Sequence, residues 1–310
     1  MNIDKIEQFR GTLREMVREL GMLNRKIRGI DLSPLQIHIL IELHKSSLGV
    51  TELSRHLCVE KASISRTVRS MEEGDLLSRV QDAHDGRATV FSLTNKGKAM
   101  LEVVNNNVND FTSQAMSLIS EQEKQQVYKA IYALNSALKG ARKQRETGVV
   151  IRPITPDDNA AIAEIIRKCF KDNKAGHYEG ISLYDPVLDT LSEAYKAPNT
   201  GYWVAEANGR ILGGVGIGSL TGEGSEYCEM QKLYLDRDIT GIGLGRRLIA
   251  LALEKAEAFG YQHCYLETLD EFKSAVVLYE AFGFKYLDNS LGNTNHDSCK
   301  IWMLKTLGTE

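Results

Sequence analysis

The chain is 310 residues long, 43% hydrophobic and 25% charged, with a formal net charge of -3, which is the size of two ordinary domains and the composition of a soluble globular protein. No charge-free apolar run approaches the ~18 residues of a membrane span, and Met1-Asn2-Ile3-Asp4-Lys5 lacks the apolar core of a signal peptide, so a cytoplasmic location without membrane attachment is expected. The five cysteines are odd in number, widely spaced and without Cys-x-x-Cys, and the seven histidines show no metal-ligand spacing, so neither a disulfide framework nor a metal is expected.

Residues 1–148 hold 22 Lys+Arg against 18 Asp+Glu, whereas 149–310 hold 16 against 23, an asymmetry that implies two different partners. Apolar residues at helical spacing (Ile6, Phe9, Leu13, Met16, Val17, Leu20, Leu23, Ile27) predict a first helix over 4–29 that needs something to pack against. Ser33, Pro34 and Gln36 form a capping box with Pro at the first helical position, opening a helix over about 34–46. Segments 51–57 and 61–71 then read as two short helices joined by a tight turn, a helix-turn-helix. In the second, Ile64, Val68 and Met71 form the buried stripe, which leaves Lys61, Ser63, Ser65, Arg66 and Arg69 outward or nearly so. A short, polar, cationic face is what reading a major groove requires.

A hairpin follows, 76–80 against 88–93, with Gly86 in its polar tip and with Arg79 and Arg87 placed to flank a nucleic-acid backbone. This winged helix-turn-helix, with Asp82-x-x-Asp85-x-Arg87 in its wing and Leu93-Thr94-Asn95-Lys96-Gly97 closing it, resembles the MarR family of dimeric transcription regulators over about 1–143. The resemblance implies that Ser63, Ser65, Arg66 and Arg69 meet the major groove of operator DNA. It also implies that Arg87, braced by Asp85, meets the minor groove. Residues 51–98 carry 8 basic and 7 acidic side chains, so placement of the cations rather than a basic field would carry the contact. Helices over about 95–118 and 121–143 complete the half, and with the first helix they are expected to bury their apolar stripes in a homodimer. The polar stretch 144–148 is expected to be a linker, which separates domain 1–143 from domain 149–310.

The second half opens with strand 149–154 and a helix from Thr155-Pro156 to about Phe170; residues 171–200 are irregular to helical. Strands 202–206 and 211–217 meet across Asn208-Gly209, a strong hairpin signal. A strand over 226–235 then delivers the chain into Thr240-Gly241-Ile242-Gly243-Leu244-Gly245, after which an amphipathic helix departs. Glycines at 241, 243 and 245 let the main chain approach a ligand and turn amides toward one point, at the positive end of the new helix. Such a site suits a pyrophosphate. Arg246 stands where the Rossmann fingerprint needs glycine, and the Gly-Lys-Ser/Thr of a P-loop is absent.

The loop resembles the pyrophosphate loop of the GNAT acetyltransferase superfamily, with Thr240 where Gln or Arg is usual, and 275–284 resembles that family's Ala-x-x-Leu-Tyr-x-x-x-Gly-Phe tail. The resemblance implies an α/β domain with a mixed central sheet, following an α+β winged helix-turn-helix domain. It further implies acetyl-CoA as co-substrate, held by Thr240 to Gly245 with Arg246 or Arg247, and by main-chain groups of Leu233 and Leu235. Glu229 matches the general base and Tyr279 the thiolate acid, and Phe272 stands where many relatives have Asn. The combined expectation is a cytoplasmic, homodimeric regulator that binds double-stranded operator DNA and acetylates the amine of a small molecule. Two other readings stay open: a GNAT part that only senses CoA species or an effector, and an enzyme whose winged helix only dimerises.

Overall fold

The structure is a computed structural model, described for residues 3–23, 30–81, 89–177, 182–239, 241–294 and 298–308. Backbone contacts divide it into two units, Met1–Gln126 and Val127–Glu310.

In the first unit α1 spans Ile3–Glu19, α2 Pro34–Lys45, α3 Val50–Leu57, α4 Lys61–Glu73, β1 Leu77–Gln81, β2 Thr89–Leu93 and α5 Asn95–Met116; α6, Glu121–Thr147, begins there. Of the helix expected over 4–29, α1 ends at Glu19, and residues 24–29 lie outside the described residues. Gly21, at φ +70°, takes a left-handed turn, and the Met22 amide donates back to the Val17 carbonyl at 3.2 Å, a glycine-terminated helix end. The capping box at α2 forms in both directions, with Ser33 N on Gln36 Oε1 and Gln36 N on Ser33 Oγ. Leu53, Ile64, Val68 and Met71 are buried beneath α3 and α4, against Leu40, Leu43, Leu101 and Val104. β1 and β2 pair antiparallel, and Leu48 bridges to Phe91 beside them. Gly97 lies so close to this sheet's entry that any side chain at that position would strike the Leu76 carbonyl, hence glycine.

Residues 144–147, expected as linker, are helical. Arg142 and Glu146 pair one turn apart at 2.8 Å, good helix formers fill 141–146, and Gly148 at φ +66° supplies the terminator. Polarity there marks an exposed helix face rather than a flexible tether.

The second unit holds a mixed seven-stranded sheet in the order β3-β4-β5-β6-β7-β9-β8: β3 Val150–Pro153, β4 Gly201–Ala207, β5 Arg210–Ser219, β6 Tyr227–Leu235, β7 His263–Thr268, β8 Lys285–Tyr286 and β9 Ile301–Thr306. Helices α7 (Asn159–Asp172), α8 (Leu191–Ala194), α9 (Leu244–Ala258) and α10 (Lys273–Ala281) connect them. All pairings are antiparallel except β6–β7, and the β4–β5 turn forms at Asn208-Gly209, both at positive φ. One core lies between the sheet and α9, around Leu248, Ala252, Cys228 and Cys264. The other, around Ile162, Ile166, Phe170 and Tyr202, lies on the side of α7. Residues alternate faces along a strand, so β6 sends Cys228 and Met230 into the first core and turns Glu229 and Gln231 to the opposite face.

Candidate active site and nucleic-acid face

Parallel pairing of β6 with β7 covers only Tyr227↔His263, Cys228↔Cys264 and Glu229↔Tyr265. Beyond Glu229 the strands part. On its other side β6 carries a bulge: Gly214 opposes Tyr234 and Gly216 opposes Gln231, leaving Lys232 and Leu233 outside the ladder, with Lys232 at φ +49°. The Tyr202 hydroxyl holds the Lys232 carbonyl at 2.9 Å, and Lys232 Nζ pairs with Asp185 at 2.6 Å, which fixes this irregular backbone.

Where the strands part, a cavity of about 60 Å³ is lined by Glu229, Gln231, Glu267, Phe272, Tyr279 and Cys299, among others. Glu229 is 5% exposed, and burial pushes its carboxyl up to about 7, reinforced by the Glu267 carboxylate and opposed by a hydrogen bond from Gln231. Gln231 Nε2 donates to Glu229 Oε2 at 2.6 Å, and the Tyr195 hydroxyl donates to Gln231 Oε1 at 2.8 Å, so a half-buried relay orients the carboxylate. Burial raises the Tyr279 phenol above its ordinary value, which keeps it neutral and a donor. Glu267 accepts from the Tyr265 hydroxyl at 3.0 Å and from Thr294 Oγ1 at 2.6 Å.

A second cavity, about 420 Å³, is lined by Leu233, Leu235, Gly241, Gly243, Leu244, Gly245 and Arg246, and shares Leu233, Tyr234, Phe272 and Ala275 with the first. Gly241 and Gly243 have φ of +76° and +72°, and Gly243 is the residue before α9, so left-handed glycines feed a helix N-terminus. Gly245 packs where a side chain would press on Leu278 and Leu235. Ile242 and Leu244 turn their side chains into the core, and Arg246 is exposed beside the cavity. Arg247 instead reaches Gln144 Oε1 at 3.1 Å and the Val149 carbonyl at 3.2 Å. Phe272 packs edge-on against Phe170 at 5.4 Å, making an apolar wall where a polar contact is common in the family resembled. Thr240 lies outside the described residues. The glycine-lined end fits a pyrophosphate, and the apolar walls fit the arm of a thioester carrier.

Sequence reasoning missed Gln231 and Glu267. Both could have been found by stepping two residues along a strand from Glu229 and from Tyr265, which places them on the same face, but only the parting of β6 from β7 makes that face a cavity.

In the first unit Lys61, Ser65, Arg66 and Arg69 are exposed on α4, while Ser63 is half-buried with its hydroxyl 3.4 Å from an Arg66 nitrogen. Arg69 pairs loosely with Glu73 at 3.4 Å, both exposed. Arg79 Nε donates to both Glu72 oxygens at 2.8 and 2.9 Å, and its guanidinium lies 5.7 Å from the Phe91 ring centre. The pair is solvent-exposed, with the Arg79 side chain 57% accessible, so the guanidinium stays open to a ligand. Arg87 and Asp85 lie outside the described residues. Among the described residues no helix is long and apolar enough to cross a membrane, and no cluster of three His, Cys, Asp or Glu could hold a metal ion.

A mixed sheet parted between two parallel strands, with a glycine loop and helix at the parting, defines the second unit as an acyl-CoA-dependent transferase fold. The family model for the acetyltransferase (GNAT) family matches residues 159–284, and that for the MarR family matches residues 30–88. The uncharacterized N-acetyltransferase YjgM of Escherichia coli K12 is 42% identical over 158 residues, covering 51% of this chain and 95% of that protein. An uncharacterized N-acetyltransferase of Schizosaccharomyces pombe is 36% identical over 114 residues, 35% of this chain and 69% of that protein. The chain belongs to the GNAT acetyltransferases, and its residues 30–88 match the MarR family model. Among solved structures, that of yncA, a putative acetyltransferase from Salmonella typhimurium with its cofactor acetyl-CoA, aligns with a TM-score of 0.42 and 20% identity, over 52% of this chain and 95% of that one.

Proposed function

We propose that the chain is a homodimeric transcription regulator that binds operator DNA through α4 and its wing, and acetylates the amine of a small, cationic molecule. The observation that carries the enzymatic part is the adjacency of two cavities: one lined by glycines and by Leu233 and Leu235, the other by Glu229 and Tyr279, with four wall residues in common. Main-chain amides of 240–245, with Arg246, hold the pyrophosphate of acetyl-CoA. Leu233 and Leu235 present main-chain groups to its arm. An amine enters as an ammonium and must lose a proton before it attacks; Glu229, with a pKa near 7, takes that proton directly or through a water. Tyr279 supplies a hydrogen bond, and a proton, to the departing sulfur. Two carboxylates in the acceptor cavity and the acidic balance of residues 149–310 favour a cationic acceptor.

Lys61, Ser63, Ser65, Arg66 and Arg69 meet the major groove, and Arg87 the minor groove. Dimerisation rests on apolar side chains left uncovered within each unit: Phe9 and Met16 on α1 with Leu20 just beyond it, and Tyr128, Ile131 and Leu138 on α6. Titration calorimetry of acetyl-CoA into the full chain, followed by thiol release with a panel of amines, tests the enzyme. Binding with release for one amine class establishes it and names the acceptor. Binding without release overturns turnover in favour of a sensor, and no binding removes the donor site.

A further inference from the structure

The glycine loop does not stand alone against the body of its own sheet. The last turns of α6 lie against it, a contact between residues about a hundred positions apart and wholly within the second unit. Gly140 is the one buried residue of α6 among those described. A side chain there would begin 2.9 Å from the Ile242 carbonyl oxygen and 3.5 Å from Gly243 Cα, so the helix accepts a glycine in its interior to let two backbones touch. One turn on, Gln144 Nε2 donates to the Ile242 carbonyl at 2.7 Å, while its Oε1 accepts from Arg247 on α9 at 3.1 Å. One amide thus ties α6 to the loop and to the helix the loop feeds.

The consequence for the donor site follows from peptide geometry. In a planar trans peptide the C=O and the following N–H point in opposite directions. Holding the Ile242 carbonyl toward α6 therefore aims the Gly243 amide the other way, and Gly243 lines the glycine-rich cavity. Gly243 sits in the left-handed region with no side chain of its own to fix that peptide plane. An external clamp replaces the missing restraint.

We propose that α6 is part of the acetyl-CoA site, with Gln144 a positioning residue that presets the Gly243 amide for the pyrophosphate and Gly140 the residue that lets it do so. The proposal rests on the donor site assigned above. It makes residues in α6 a determinant of donor affinity and leaves the chemistry at Glu229 and Tyr279 untouched.

The test uses the full chain with Gln144→Glu, which keeps a partner for Arg247 but loses the donor to the Ile242 carbonyl, and with Gly140→Ala, which favours the helix while crowding the loop. The expected result is a rise in KM for acetyl-CoA, and in its calorimetric Kd, of about fivefold or more in each variant, the worth of one hydrogen bond. kcat at saturating donor and KM for the amine should stay within about twofold of wild type. Unchanged donor affinity in Gln144→Glu would overturn the proposal, as would a fall in kcat with no change in donor KM. If Gly140→Ala fails to fold, Gln144→Glu decides alone. A wild-type chain that does not bind acetyl-CoA would instead sink the donor-site assignment itself, a different outcome from wild-type binding that Gln144→Glu leaves intact.

Discussion

Glu229 sits 5% exposed on β6 with its carboxyl pushed up to about 7 by burial, so near neutrality it gains or loses a proton at little cost. Two measurements follow from that one shift. As a base it must be ionised, so kcat/KM for the amine should rise with pH along a limb centred near 7; Glu229→Gln should erase that limb and lower the rate by about 10²–10⁴-fold. The same shift has an opposite sign for stability. A carboxyl whose folded pKa lies above its unfolded value of 4.5 favours the fold at low pH, and that contribution is lost as pH rises through about 7. Glu229→Gln mimics the protonated form, so its stability relative to wild type should increase by about 2–3 kcal/mol between pH 5 and pH 8 in urea titrations. A gap that does not change with pH would mean the carboxylate is solvated and not a tuned base. Tyr279 calls for a separate test. Its phenol is held neutral by burial, so Tyr279→Phe keeps the packing and removes only the donor to sulfur. Thiol release should fall about 10²-fold with acetyl-CoA affinity retained, and undiminished turnover would end its role as the acid.

At the scale of elements, the anchoring of β3 and α7 rests on one buried carboxylate. Asp158 takes two hydrogen bonds from Arg152 on β3, at 2.6 and 2.8 Å, and two more from Thr155, while Arg152 also reaches Glu206 on β4. Arg152 chiefly, with Thr155, holds the Asp158 carboxyl down at about 2 from 3.8, against the opposing effect of burial. A lowered carboxyl stabilises the fold above its unfolded value and ceases to do so as pH falls through about 2. Asp158→Asn should therefore cost about 2 kcal/mol in chemical denaturation at pH 7, and progressively less below pH 4. An equal loss at pH 7 and pH 3 would assign the effect to packing. Elements such as these were legible in the sequence where their determinants are local. The α2 capping box, the Asn208-Gly209 hairpin and the glycines before α9 each declare themselves within six residues. What stayed hidden depends on distant partners. Residues 144–148 read as a tether because polarity marks both linkers and exposed helix faces, and the contacts of Gly140 and Gln144 with Ile242 are absent from any local pattern. The partners of Arg79, Glu72 and Phe91, are likewise absent from the local pattern of its strand. The first helix was drawn too long because its apolar spacing continues past Gly21, where the backbone turns.

For the molecule as a whole, one change should separate the two activities if the chain works as a dimeric regulator fused to an enzyme. The glycine loop, Glu229 and Tyr279 all belong to one chain's second unit, so on the proposed assignment acetyl transfer is expected to proceed without a second copy. DNA binding does. Lys61, Arg66 and Arg69 offer only three exposed cations on α4, in a half whose excess of positive charge is small, so one copy neutralises too few phosphates for tight binding at physiological salt. Doubling the face through two-fold symmetry doubles the counterions released and reads two half-sites at once. Phe9, 42% exposed on α1 and in line with Met16 and Leu20, belongs to the surface that a partner copy would cover. Phe9→Glu places a charge there at no cost to the isolated unit's core. Sedimentation should show a monomer, operator affinity should fall by at least about 10²-fold, and the salt slope of log Kobs should drop to roughly half its wild-type magnitude. Thiol release with acetyl-CoA and the amine should stay as in wild type. A variant that remains dimeric would place the interface elsewhere than α1, and a monomer that still binds operator with the full slope would show that one winged helix suffices.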